Sequence, residues 1–333
     1  GILIFAAMIV VLTVLGYRTI HVIGRLSSLI GVLSFFYLFY RLLSVHDIGE
    51  LLGNRHFTMA SFLLAISLSA SWQIAFGPYV ADYSRYLPRN TSAWKTFLAV
   101  GLGSVIGTQI SMVFGVFVAA LAGDQFAGHE VSYIVGMGAS GVVASLLFFS
   151  IVFGKVTITT LNAYGSFMSL ATIISGFRGN QEISRTVRLI YILVMVGLAT
   201  ALALLGRHSF LHDFSAFILF LLAFFTPWSA INLVDFYLVT KERYDIPALS
   251  DPDGRYGRWN VAGIAVYAFG VVIQMPFIAT SFYTGPLVET LGGTDISWLI
   301  GLTVPALVYY WVARKMTLRI PAQLILPEEA KTA

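Results

Sequence analysis

Cysteine is absent from the chain, which excludes a disulfide framework and any thiolate metal site. Charge is scarce: 11% of residues are Asp, Glu, Lys or Arg, against about 25% in a soluble domain. The six histidines are scattered, with no HExxH or paired spacing, so no histidine metal centre is expected. No glycine-rich phosphate loop ending in Lys-Ser or Lys-Thr occurs, so the sequence encodes no ATP-driven motor. No nucleophile–base pair stands out, and neither an enzyme nor a cofactor is expected. The first apolar run begins at Gly1 without an initiator Met or the charged lead of a signal peptide, and reads as a chain whose N-terminal part is missing.

What is abundant is apolar sequence. Hydrophobic residues make up 58% of the 333 residues and fall in long runs. This predicts an all-α, polytopic membrane protein, since only helices and closed barrels satisfy their backbones in lipid. About nine spans of the ~20 residues a bilayer needs can be drawn: 1–17, 26–43, 57–82, 94–122, 139–174, 186–205, 210–239, 259–283 and 296–313. A basic segment, Arg18 to Arg25, separates the first two runs, and Val131 to Gly138 reads as a short re-entrant or interfacial helix. From residue 314 the tail is polar, with a poorly ordered end.

Entry of the first run from outside puts Arg18, Arg25, Arg85, Arg89, Lys95, Arg178, Arg185, Arg188, Lys241, Arg243, Arg255, Arg258, Arg314, Lys315 and Arg319 on one side. Only Arg41, Arg55 and Arg207 lie on the other. That asymmetry marks the first side, and the C-terminus, as cytoplasmic. The formal charge of +4 therefore belongs to loops and tail and does not indicate a nucleic-acid partner.

Two stretches carry candidate chemistry. In SLSASWQIAFGPYVADYSRYLPRN, Ser67 to Asn90, an apolar run meets Trp72, Gln73 and a Gly77-Pro78 breaker. Proline removes a backbone donor and clashes with the preceding turn, so a broken helix is expected. Transporters build substrate sites at such breaks; a proline kink without a ligand is the alternative. In FGKVTITTLNAYGSFMSL, the residues Lys155, Thr159, Asn162, Ser166 and Ser169 are spaced by four, three, four and three, which puts them on one helix face. An intramembrane lysine leading a polar stripe is a functional candidate that must face the bundle or a cavity.

Other polar residues read more simply. Asp82 and Arg85 pair at a helix end. Gln109 and Gln274 are lone amides suited to interhelical bonds. Asn232 and Asp235 suit packing or gating. Gly103, Gly107, Ser111, Gly115 and Ala119 form a small-residue stripe that suits close helix packing. Thr226-Pro227-Trp228 marks a second proline kink.

The segments SWQIAFGPYVADYSRYLPR, KVTITTLNAYGSFMS and PWSAINLVDFYLV, in this order, resemble the nucleobase–cation symporter-1 family, permeases for cytosine, purines, uracil, thiamine, allantoin and related compounds. The resemblance runs through nearly the whole chain. It implies a leucine-transporter-like fold of five-plus-five inverted repeats, of which this chain holds spans four to twelve. In that frame residues 1–56 end the first repeat, 57–240 form the second, two further spans occupy 241–313, and 314–333 are a cytoplasmic tail.

The resemblance implies a planar substrate at Trp72, Gln73 and Asn162. It also implies a cation site at Thr159, Thr160 and the Val156 carbonyl. Lys155, one turn before Thr159, makes a proton carrier the rival to sodium. The function implied is import of a nucleobase-like small molecule across the plasma (inner) membrane, coupled to a proton or sodium. An amino-acid permease of the same architecture and a non-transporting fragment are the alternatives.

Overall fold

A long apolar run closes its backbone hydrogen bonds within itself, and the chain folds accordingly as helices. The structure is a computed structural model that describes residues 1–15, 17–53, 57–84, 87–88, 90–178, 184–206, 210–251, 253–316 and 320–326, with side chains left out at 17–21, 48, 50–51, 83, 178, 210 and 250. In chain order the helices are α1 Ile2–Leu15, α2 Tyr17–Val45, α3 Ile48–Gly53, α4 Met59–Ser84, α5 Ala93–Ala122, α6 Glu130–Gly138, α7 Gly141–Arg178, α8 Arg185–Leu205, α9 Phe210–Val234, α10 Val261–Gln274 and α11 Ser297–Lys315.

Among the described residues, six stretches are long and apolar enough to cross a membrane: Val22–Val45, Met59–Asp82, Ala93–Gln125, Gly141–Phe177, Arg185–Leu205 and Leu211–Val239. Ile2–Leu15 and Val261–Phe277 are shorter apolar helices, and α11 has 19 residues.

Expectations change at Pro78 and at the basic segment after the first run. The helix through Gly77-Pro78 does not break: α4 runs on with Pro78 inside it. Proline disturbs only the bond to the carbonyl four residues back, and the apolar turns on either side continue the helix. The basic segment from Arg18 to Arg25 is not a connecting loop but the opening turns of the 29-residue α2. Arginine is a good helix former, so charge ends the apolar run without ending the helix. The expected Asp82–Arg85 pair lies outside the described residues, as do Arg55, Arg89, Arg207, Arg319 and the end of the tail.

The chain forms two units. The first comprises Gly1–Arg55 and Asn90–Leu211, the second His56–Arg89 and His212–Ala333.

In the first unit, Leu38 and Leu42 of α2, Phe114 and Val118 of α5, Val135 of α6 and Leu147 of α7 form one buried cluster. The end of α6 presses onto α2: the Tyr37 hydroxyl donates to Gly138 O at 3.0 Å, and a Cβ at Gly138 would come within 2.7 Å of Leu38. α1 packs on α7 through Ile9, Val156 and Ala163, with Val196 of α8 against the same cluster. Arg188 is drawn into this packing. Its Nη2 donates to Thr13 O at 3.1 Å, with the guanidinium over the rings of Tyr164 and Phe167. On the α5 stripe of small residues, a Cβ at Gly103, Gly107 or Gly115 would meet nothing within 4 Å among the described residues.

In the second unit α4 is tied to α9, the Ser71 hydroxyl donating to Ile218 O. α9, α10 and α11 meet at Gln274, which is wholly buried. Pro227 has no N–H, so the Ala223 carbonyl one turn back loses its helical partner. Gln274 Nε2 takes its place, donating to Ala223 O at 2.9 Å and to Gly270 O at 2.8 Å. The Thr226 hydroxyl, 2.9 Å from both Leu222 O and Gln274 Oε1, completes the set. Gly270 and Gly301 make room: a Cβ at Gly270 would strike Pro227 and Pro305, and one at Gly301 would strike Gln274 and Thr226.

The span expected to reach Tyr283 ends earlier, at a 3-10 turn, Met275–Phe277. Pro276 cannot donate into a longer helix, and the chain turns into a hairpin. Buried Asp295 holds it, accepting from Ala279 N and Ser297 N, each at 2.8 Å.

Candidate functional site

The polar face of α7 is sorted by depth. Lys155 and Ser169 are exposed, Thr159, Asn162 and Ser166 are half-buried, and Val156 and Thr160 on the adjoining face are buried. Thr159, Asn162 and Ser166 line a cavity of about 270 Å³ together with Ile2, Phe5, Ala6 and Ile9 of α1 and Met195, Val196, Ala199, Thr200 and Ala203 of α8. That is just below the ~300–1,000 Å³ of typical small-molecule sites. Its walls are apolar, with polar groups from α7 and from Thr200, and no residue lining it is ionisable.

The hydrogen bonds inside this cavity differ in kind. Ser166 Oγ donates to Asn162 O at 2.8 Å, and Thr200 Oγ1 donates to Val196 O at 2.7 Å. Among the described residues the side-chain amide of Asn162 and the hydroxyl of Thr159 make no hydrogen bond. An amide carries two donors and an acceptor, so Asn162 can bond the edge of a ring that offers both. Thr160 Oγ1 donates to Val156 O at 2.7 Å, which puts two of the expected cation ligands side by side. Lys155 makes no ion pair among the described residues, and its exposure departs from the enclosed position expected of it.

Trp72 and Gln73 lie on α4, in the second unit, one turn before Gly77. Trp72 is 50% exposed, a large apolar surface left open in the middle of a helix. The cavity residues of α1 and α8 were not singled out from sequence. α1 is apolar but for Thr13 and gives no periodic signal; Thr200, the one polar side chain between Ile192 and Leu205, is the mark that could have pointed there.

Asp235 is fixed in place. It accepts from Tyr244 at 2.6 Å and from Tyr309 at 2.7 Å, where α9 passes into a π-helical turn, Asp235–Val239. Burial and the Asp235 carboxylate hold the Tyr244 hydroxyl above its ordinary pKa. The loop carrying Tyr244 is itself held by the tail: Ile325 N donates to Tyr244 O at 2.8 Å and Ile246 N to Ile325 O at 3.0 Å. Asn232, the other polar group there, donates to Trp228 O within its own helix.

Residues 1–301 match the model of the family described as permease for cytosine/purines, uracil, thiamine, allantoin. The chain belongs to this family. It is 35% identical over 308 residues to a protein assigned as a purine-cytosine permease, YxlA of Bacillus subtilis, covering 92% of this chain and 66% of that one. It is 25% identical over 320 residues to the purine-cytosine permease fcyB of Emericella nidulans, covering 93% and 62%. The chain thus spans about two thirds of the length of these relatives.

An inward-facing structure of Mhp1 matches 99% of this chain and 68% of its own at a TM-score of 0.64 and 19% identity, which shows the fold. The all-helical, leucine-transporter-like architecture implied by the sequence motifs is therefore the one observed, in an integral membrane protein of a permease family.

Proposed function

We propose that the chain is the transport body of a cation-coupled permease for a nucleobase or related planar heterocycle. The observation that carries this is the unbonded Asn162 amide in a small apolar cavity. A planar, uncharged ring suits apolar walls and one bidentate amide. The zwitterion of an amino acid would find no charged group there to pair with, and leaving an ion unpaired in an apolar site is costly. Trp72 and Gln73 are proposed as further substrate residues, the tryptophan as a stacking surface.

Coupling has two candidate carriers. Thr159, Thr160 and the Val156 carbonyl offer the oxygens a sodium ion needs. Lys155, exposed on the same helix and without an ion pair among the described residues, offers a proton. The C-terminus is proposed to lie in the cytoplasm, as the arginine and lysine asymmetry directs.

The test is binding of cytosine, uracil, adenine, hypoxanthine and allantoin to the purified chain. At least one should bind, whereas free amino acids should not. Trp72→Ala should weaken binding by about 1–3 kcal/mol, the range for an aromatic–base stack. Unchanged affinity in that variant would remove Trp72 from the site.

A further inference from the structure

The cavity has a polarity of its own, set by where its hydroxyl protons go. A serine or threonine hydroxyl has one proton to give and two lone pairs to offer. Ser166 and Thr200 have given theirs to the carbonyls four residues back, at 2.8 Å and 2.7 Å. What they offer a bound molecule is therefore acceptor capacity. A ligand N–H that reaches Thr200 adds a hydrogen bond at no loss. A ligand carbonyl at the same place gains only if the hydroxyl abandons Val196 O, which exchanges one bond for another. If neither occurs, two acceptors face each other in a site lined by no ionisable residue. Asn162 does not bias the choice, because its amide both donates and accepts, and the unbonded Thr159 hydroxyl can do either.

We propose that Thr200 is a specificity residue of this cavity. It accepts from an N–H on the bound ring, so the site favours a ring bearing an amino group at that position over its oxo counterpart. Ser166 contributes in the same direction from α7. The proposal rests on the reading of the Asn162 cavity as the base site, and it assigns a selective role to α8, which the motifs did not touch.

The test compares cytosine with uracil, and adenine with hypoxanthine, in equilibrium binding to the chain and to three variants. Thr200→Val keeps the shape and removes the oxygen; it should lower the amino-over-oxo preference roughly tenfold, the worth of one buried hydrogen bond. Thr200→Ser should keep the preference within about twofold, because the hydroxyl can still bond Val196 O. Asn162→Ala should weaken all four compounds. A preference unchanged in Thr200→Val while Asn162→Ala loses binding would overturn the role of Thr200 and leave the base site standing. Binding indifferent to both substitutions would overturn the base site and the specificity role with it.

Discussion

Replacing Gln274 with leucine lowers the thermal stability of the chain, and replacing Gly301 with leucine lowers it further. The reason is local. Pro227 leaves the Ala223 carbonyl without its helical donor, and Gln274 supplies the missing N–H from α10 at 2.9 Å. Leucine fills much the same volume but strands that carbonyl in a wholly buried place, at a cost of about 1–3 kcal/mol. At Gly301 even a Cβ runs into Gln274 and Thr226. A leucine there must displace the amide and push α11 away, breaking the same hydrogen bonds while overpacking the junction, an added ~1–3 kcal/mol. Unfolding of the purified variants in detergent, followed by temperature, reads both effects. A Gln274→Leu chain as stable as the parent would show that the amide is not what holds the Pro227 turn.

Asn162→Ala has the opposite signature: substrate affinity falls and stability stays. The amide makes no hydrogen bond among the described residues, so its removal strands nothing in the empty protein, and the expected change in stability is within about 0.5 kcal/mol. With a base bound, the loss of its edge partner should cost about 1–3 kcal/mol, a tenfold to hundredfold drop in affinity. Binding and melting measured on the same sample separate the two. A large fall in melting temperature with unchanged affinity would make Asn162 a structural amide.

These two amides show what the sequence discloses and what it conceals. Both sit in apolar helices. Gln274 was expected to bond between helices, and it does. The spacing of Lys155, Thr159, Asn162, Ser166 and Ser169 did define a face, because side chains three and four apart share one side of a helix. Spacing alone does not say how deep that face lies. The structure half-buries its middle against α1 and α8 and leaves Lys155 and Ser169 exposed.

Pro78 was expected to break its helix, but one lost backbone bond does not outweigh the apolar turns around it. The tail pairing of Ile325 with Tyr244 and Ile246 has no sequence signature, since backbone groups make it and every residue carries those. The resemblance of three ordered motifs carried the family and the fold, which periodicity by itself does not distinguish from any other helical bundle.

The account turns on cation-driven movement of a base, and uptake into proteoliposomes tests it most directly. The chain is reconstituted, radiolabelled cytosine or adenine is supplied outside, and a sodium or a proton gradient is imposed separately at fixed membrane potential. The account predicts that one gradient drives accumulation above the equilibrium level and that Asn162→Ala abolishes it at the same substrate concentration. Drive by protons, lost in Lys155→Met, assigns the lysine as carrier. Drive by sodium at constant pH, lost in Thr159→Ala and Thr160→Ala, assigns the hydroxyl pair. Accumulation of no base under either gradient, in a chain that reconstitutes folded, would contradict the account.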